Sequence, residues 1–186
     1  MRKLFAFSVM TLDGYHEGPN REFDWPNVDD EFYEFSVSQL NDIGFLMFGR
    51  ATYEGMAAYW PTEQAATDSP QIADYMNSLP KVVFSNSLSA ADWRNTTLVT
   101  GDVSRAVAEL KDQPGKDITV FGSSNLTVSL LAQNLVDELR VMVNPVLLGA
   151  GHSLFSGLAK RVQLELQRTM TFRSGNVLLC YRPVAA

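Results

Sequence analysis

The sequence predicts an α/β sandwich whose sheet is largely parallel but mixed at its C-terminal edge. Two observations predict it: short apolar runs closed by turn residues alternate with stretches of helical apolar spacing, and the chain ends in a β-rich tail. Residues 3–12 form a mostly buried first strand that stops at Asp13-Gly14, a turn dipeptide. Residues 13–28 hold Gly14, Gly18, Pro19, Asn20, Pro26 and Asn27 and read as a long loop, a class more often functional than idle. A helix follows from Asp29, because Asp29, Asp30 and Glu31 suit a positive helix start and Tyr33, Val37 and Leu40 recur at helical spacing.

Residues 43–48 are a buried strand closed by Gly49, and residues 52–59 a short helix broken by Pro61. Residues 61–69 are small and polar and read as a loop, while residues 71–79 are helical up to Pro80. Strands are expected at 81–84, 96–99 and 117–121, with a helix between the last two that Asp102 caps. A helix carrying Leu126 and Leu130 comes next, then a strand over 136–148 interrupted at Pro145. Residues 162–172 and 177–181 flank Ser174-Gly175-Asn176, a hairpin signal.

The 186 residues fit one domain, 1–186, with no repeat or linker. Fifteen basic against 21 acidic residues give a net charge of −6 without a basic cluster, which argues against a nucleic-acid partner. Cys180 is the only cysteine, no apolar run is long enough to span a membrane, and the start lacks a cleavage signal. A cytoplasmic protein is expected. No spacing of His, Asp and Glu suggests a metal, and His16 and His152 form no triad with a serine.

Three strand-to-helix turns have anion-binding character. Gly49-Arg50-Ala51-Thr52 joins a flexible turn to an Arg fork and free N–H groups at a helix start. Ser85-Asn86 follows the next strand, and Gly122-Ser123-Ser124-Asn125-Leu126 follows another. Each is also what an ordinary turn or cap looks like. Neither a full GxGxxG nor a GxxxxGK[ST] is present, but together, at one sheet edge, the three point to a dinucleotide.

The order TLDGY, LMFGRATYE, KVVFSNSL, VFGSSNL and LVDELRVMVNPVLLGAGHSLF resembles the dihydrofolate-reductase-like superfamily over essentially the whole chain. More closely, it is similar to the branch holding the riboflavin-pathway pyrimidine reductase domain and its stand-alone relatives. The resemblance implies a three-layer α/β/α fold with a mixed sheet of about eight strands, NADPH as hydride donor and a homodimer. It implies that Gly49, Arg50, Ala51 and Thr52 hold phosphate, with Arg50 toward the 2′-phosphate. It places Ser85 and Asn86 beside the adenosine ribose, Gly122, Ser123, Ser124, Asn125 and Leu126 under the pyrophosphate and nicotinamide, and Ala6 near the nicotinamide.

Family members carry a Gly-Gly pair where this chain has Gly122-Ser123. A Cβ there narrows the backbone's approach to the cofactor, although a serine hydroxyl can also donate to phosphate. Trp25 followed by Asp30 matches the spacing of a tryptophan and a carboxylate in folate enzymes, making Asp30 the candidate proton relay. The same carboxylate also simply complements a helix dipole. Leu79 stands where folate enzymes place an arginine, which argues against dihydrofolate as substrate. A basic cluster for a substrate phosphate is not visible, since Arg21, Arg161 and Arg173 are scattered. The expected activity is reduction of a small heterocyclic or sugar-derived C=N or C=O; the alternatives are a degenerate nucleotide-binding scaffold and a structural dimer module.

Overall fold

The computed structural model describes residues 1–184. Its centre is an eight-stranded sheet in the order β5-β4-β3-β6-β1-β7-β10-β9. Six neighbouring strands run parallel: β5 (Thr96–Val99), β4 (Lys81–Phe84), β3 (Ile43–Gly49), β6 (Asp117–Phe121), β1 (Leu4–Thr11) and β7 (Glu138–Asn144). The terminal hairpin adds β10 (Val177–Val184) and β9 (Gln163–Thr171) antiparallel at one edge. This is the mixed α/β architecture the sequence predicts.

β1 is central because LFAFSVMT is apolar on both faces, and it pairs with β6 on one side and β7 on the other. One face of the sheet buries Leu4, Ala6, Val120, Leu130 and Leu139; the other buries Phe5, Phe7, Phe48, Leu178 and Cys180. Helix α1 (Asp30–Asn41) packs Phe32 and Phe35 on the second face, where Phe35 meets Phe172 edge-on at 5.7 Å. On the first face, α6 (Ser124–Ala132) buries Leu126, Leu130 and Leu131.

Three expectations are corrected. Residues 61–69 are not simply a loop: Glu63–Asp68 is a helix, α3, because Thr62 accepts the Ala65 N–H at 3.1 Å and Ala65 is fully buried. It lies between α2 (Arg50–Tyr59) and α4 (Pro70–Ser78); α5 (Val103–Asp112) follows β5. The long loop 13–28 contains a short strand, β2 (Tyr15–Glu17), paired with β8 (His152–Ser153). The strand expected over 136–148 runs only over Glu138–Asn144, ending where Pro145 has no N–H to offer.

Candidate functional site

Parallel strands put the turns after β3, β4 and β6 on one edge of the sheet. Two of these turns touch. The Gly49 N–H donates to Ser123 Oγ at 3.0 Å, and the Ser123 N–H donates to Thr52 Oγ1 at 3.0 Å. Ser123 also donates to the Phe121 carbonyl at 3.2 Å. This reciprocal link joins the start of α2 to the start of α6.

Gly122 has φ of +56° and Ser123 of +49°, so two consecutive residues are left-handed. A Cβ on Gly122 would lie 3.4 Å from Thr52 Cγ2, which shows how closely the turns are stacked. The turn is fixed from below as well: the Gly122 N–H donates to the Phe7 carbonyl at 2.9 Å, and Thr127 Oγ1 to the Gly122 carbonyl at 3.3 Å.

The helix starts at this corner carry no side-chain cap. Gly49 has no side chain to give α2, and Ser123 gives none to α6 because its hydroxyl is committed to Gly49 and Phe121. The N–H groups of the first turns, which a cap would otherwise bond, are left for an anion, and the helix dipole favours negative charge there. Arg50 is exposed, with its guanidinium 3.8 Å from Glu54. A contact of that length between exposed groups is weak and leaves the fork available. These features fit a pyrophosphate-bearing nucleotide.

The other sequence-assigned residues fall less uniformly. Ser85 Oγ accepts the Ser87 and Leu88 N–H groups at 3.1 Å and so builds its own turn, while Asn86 Oδ1 accepts the Gly101 N–H at 3.1 Å and ties that turn to the one after β5. Asn125 is exposed on the first turn of α6, and Ser124 Oγ donates to the Leu154 carbonyl at 2.6 Å. Ala6 is fully buried on β1, in register with Val120 of β6 and Leu139 of β7. Asp30 is exposed on α1, whose cap is Asp29, accepting the Phe32 N–H at 2.8 Å.

Several residues beyond the sequence assignments shape the same edge. Asp13 is more than a turn former: its carboxylate accepts from Thr11 Oγ1 at 2.6 Å and from the Leu148 and Gly149 N–H groups at 3.1 and 2.8 Å. Those bonds, the Thr11 hydroxyl first, hold its pKa below the ordinary carboxylate value. The β2–β8 ribbon places His152 Nδ1 3.0 Å from Glu17, with the His16 and His152 rings 6.5 Å apart. Burial, with the neighbouring His152, lowers the His16 pKa despite the opposing pull of Glu17. Among the described residues, no group of His, Cys, Asp and Glu is arranged to hold a metal ion.

A largely parallel open sheet with strand-to-helix turns meeting at its carboxyl edge defines an α/β protein of the open-sheet class. The family model of the RibD C-terminal domain matches residues 2–178, and the chain belongs to that family. The YyaP protein of Bacillus subtilis (strain 168) is 32% identical over 182 residues, covering 97% of this chain and 94% of its own. A solved Shewanella sp. PV-4 structure, described as a candidate riboflavin biosynthesis protein, superposes with TM-score 0.76 at 22% identity, covering 98% and 99% of the two chains. Enterococcus faecalis dihydrofolate reductase, solved in complex with NADP(H) and RAB-propyl, superposes with TM-score 0.64 at 17% identity, covering 97% and 96%. The dihydrofolate-reductase-like fold expected from the motifs is therefore the fold observed.

Proposed function

We propose that this single-domain chain is an NADPH-dependent reductase, related to the 5-amino-6-(5-phosphoribosylamino)uracil reductase of riboflavin biosynthesis. It would act on a small heterocyclic or sugar-derived C=N or C=O. The observation that carries the reading is the meeting of two uncapped helix starts, α2 and α6, within one hydrogen bond of each other. In this reading the N–H groups of Arg50, Ala51 and Thr52 and those of Ser124, Asn125 and Leu126 hold the phosphates, and Arg50 takes the 2′-phosphate. Ser85 and Asn86 shape the turn beside the adenosine ribose, and Gly122 and Ser123 form the floor under the nicotinamide. NADPH supplies the hydride when bound; the protein orients the two reactants and excludes water between them.

In this reading Asp30, exposed on the first turn of α1, is the proton relay to the product. The uncovered β9–β10 ribbon, on which Leu166 is 51% exposed, is the surface we assign to a second copy of the chain. Among the described residues no helix is long and apolar enough to cross a membrane.

A second reading, a nucleotide-binding scaffold without catalysis, draws on the same Ser123 link, which already uses the Gly49 and Ser123 N–H groups. The test is a thermal-shift titration with NADPH beside NADH, on wild type and Arg50→Ala. A rise in Tm favouring NADPH, with affinity at least ~10-fold weaker after losing Arg50, is expected. No shift with either nucleotide at millimolar concentration would remove both readings. Binding without turnover of any carbonyl or imine substrate would favour the scaffold.

A further inference from the structure

The two histidines of the chain, 136 positions apart, are brought together by the two-stranded β2–β8 ribbon. Its pairing sets Tyr15 against Ser153 and Glu17 against His152, which leaves His16 as the extra residue of a β-bulge. A bulge re-aims the side chain it carries. Here the His16 ring comes to 6.5 Å from the His152 ring, and His152 Nδ1 lies 3.0 Å from Glu17 Oε1. Gly151 permits the close approach, since a Cβ there would run into the Glu17 carbonyl and the Tyr15 ring.

The charges around these rings do not balance. Glu17 serves His152. Glu22, on the turn after β2, accepts the backbone and side-chain N–H groups of Asn20 at 2.8 and 2.7 Å. Asp13, just before β2, is held by Thr11, Leu148 and Gly149. One carboxylate is therefore left for two imidazoles. A proton on His152 meets Glu17 at once. A proton on half-buried His16 meets a second imidazole and has no carboxylate of its own. Burial first, and then His152, already hold the His16 pKa below 6.5 against the pull of Glu17.

The ribbon is tied to the nucleotide edge through one residue. Leu154 follows β8 and is 1% exposed in the core. Its N–H donates to the Gly14 carbonyl, just before β2, at 3.2 Å. Its carbonyl accepts from the hydroxyl of Ser124, the first residue of α6, at 2.6 Å. The residue that closes the ribbon thus also holds one of the two open helix starts.

We propose that the β2–β8 ribbon is a pH-sensitive clip: protonation of His16 beside His152 opens it and loosens the α6 start that Leu154 holds. Its effect on nucleotide affinity rests on the reductase reading, whereas the opening itself does not. Two like charges on one short ribbon, with a single carboxylate between them, favour the separated strands.

Three readouts on the full chain test this. Imidazole-proton NMR follows His16, which is simple to assign in a chain with two histidines. Amide exchange of Leu154 follows the ribbon, and the affinity of NADP+, which tolerates acid, follows the helix start. Between about pH 7 and 5, wild type should lose Leu154 protection and at least ~5-fold in NADP+ affinity relative to His16→Gln, which cannot take up the charge. The 2′-phosphate of the ligand titrates alike in both proteins, so their ratio isolates His16. His152→Gln releases Glu17 to His16; it should raise the His16 titration midpoint and shrink the opening. Tm at pH 7 reports the folding of each variant separately. Wild type and His16→Gln responding to pH in parallel would overturn the clip and leave the reductase reading intact. Leu154 exchange that depends on His16, with no NADP+ binding at any pH, would keep the clip and overturn the reductase reading.

Discussion

Helices α5 and α6 both begin just after a parallel strand, on the same edge of the same sheet, yet they begin differently. Asp102 closes α5 by accepting the Arg105 N–H at 3.2 Å, as Asp29 closes α1 and Thr62 closes α3. Ser123 leaves α6 open, and Gly49 leaves α2 open. Topology alone therefore does not decide which helix start is free for a ligand. What decides it is whether a short polar side chain satisfies the first-turn N–H groups or is diverted elsewhere, as the Ser123 hydroxyl is diverted to Gly49. The cost is local stability at the two open starts, and the return is a place where negative charge is welcome.

Helix C-termini provide the largest test of this contrast. Lys81, 1% exposed, donates to the Met76, Asn77 and Leu79 carbonyls at 2.9, 3.3 and 2.7 Å and so closes the end of α4. Lys81→Met should cost about 3 kcal/mol, lowering Tm by roughly 10 °C, because it leaves those carbonyls without a buried donor. Calorimetry checks this, and NADPH affinity at a temperature where the variant is folded should not change.

The contrast breaks most directly at the open starts themselves. Gly49 has φ of −80° and a Cβ there would meet its neighbours at an ordinary 3.8 Å, so a side chain fits without strain. Gly49→Asp should cap α2, raising apo stability by about 1 kcal/mol while weakening NADPH at least ~10-fold by repelling its phosphates. Asp102→Ala should do the reverse at a closed start, losing about 1 kcal/mol with no change in nucleotide affinity. If both variants moved stability and affinity together, the distinction between open and closed starts would fail.

The smallest effect concerns the β2–β8 ribbon. The His16 pKa lies below its ordinary 6.5 in the folded chain, so as pH falls through that value the unfolded chain takes up the proton first. Stability contributed at His16 is complete above pH 6.5 and lost as pH falls toward its lowered folded value. The stability of wild type relative to His16→Gln should accordingly decline between about pH 7 and 5 in parallel urea titrations.

Much of the fold was legible because local chemistry and final environment agree. The acidic helix start at Asp29, Asp30 and Glu31, the stop at Pro80, the Asp102 cap and the Ser174-Gly175-Asn176 hairpin are all read from neighbouring residues, and each stands within a residue of where the sequence puts it. Helix α3 was missed because its six residues carry too little periodicity, and what makes it a helix is the burial of Ala65 under contacts from elsewhere. The β2–β8 pairing was missed because so short a ribbon is specified by where the rest of the chain brings its strands.

At the site, the three turns were visible as turns, but the link from Ser123 to Gly49 spans 74 residues and leaves no local signature. The hydrogen bonds joining Asn27 to Asn144 and Asn176 likewise span up to 149 positions and leave no local signature.

The central place of β1 also has a consequence for how the chain is made. Leu4 must wait for Ile118 and Phe5 for Glu138 before either neighbour of the strand exists. At about 5–20 residues per second on a ribosome, the interval is several seconds to tens of seconds, during which LFAFSVMT is an apolar strand with two unpaired edges. Arg2 and Lys3 sit directly before it, and charges in that position discourage strand-to-strand association between nascent chains. The residues that open the sequence thus guard its most adhesive segment until the other half of the sheet has been synthesised.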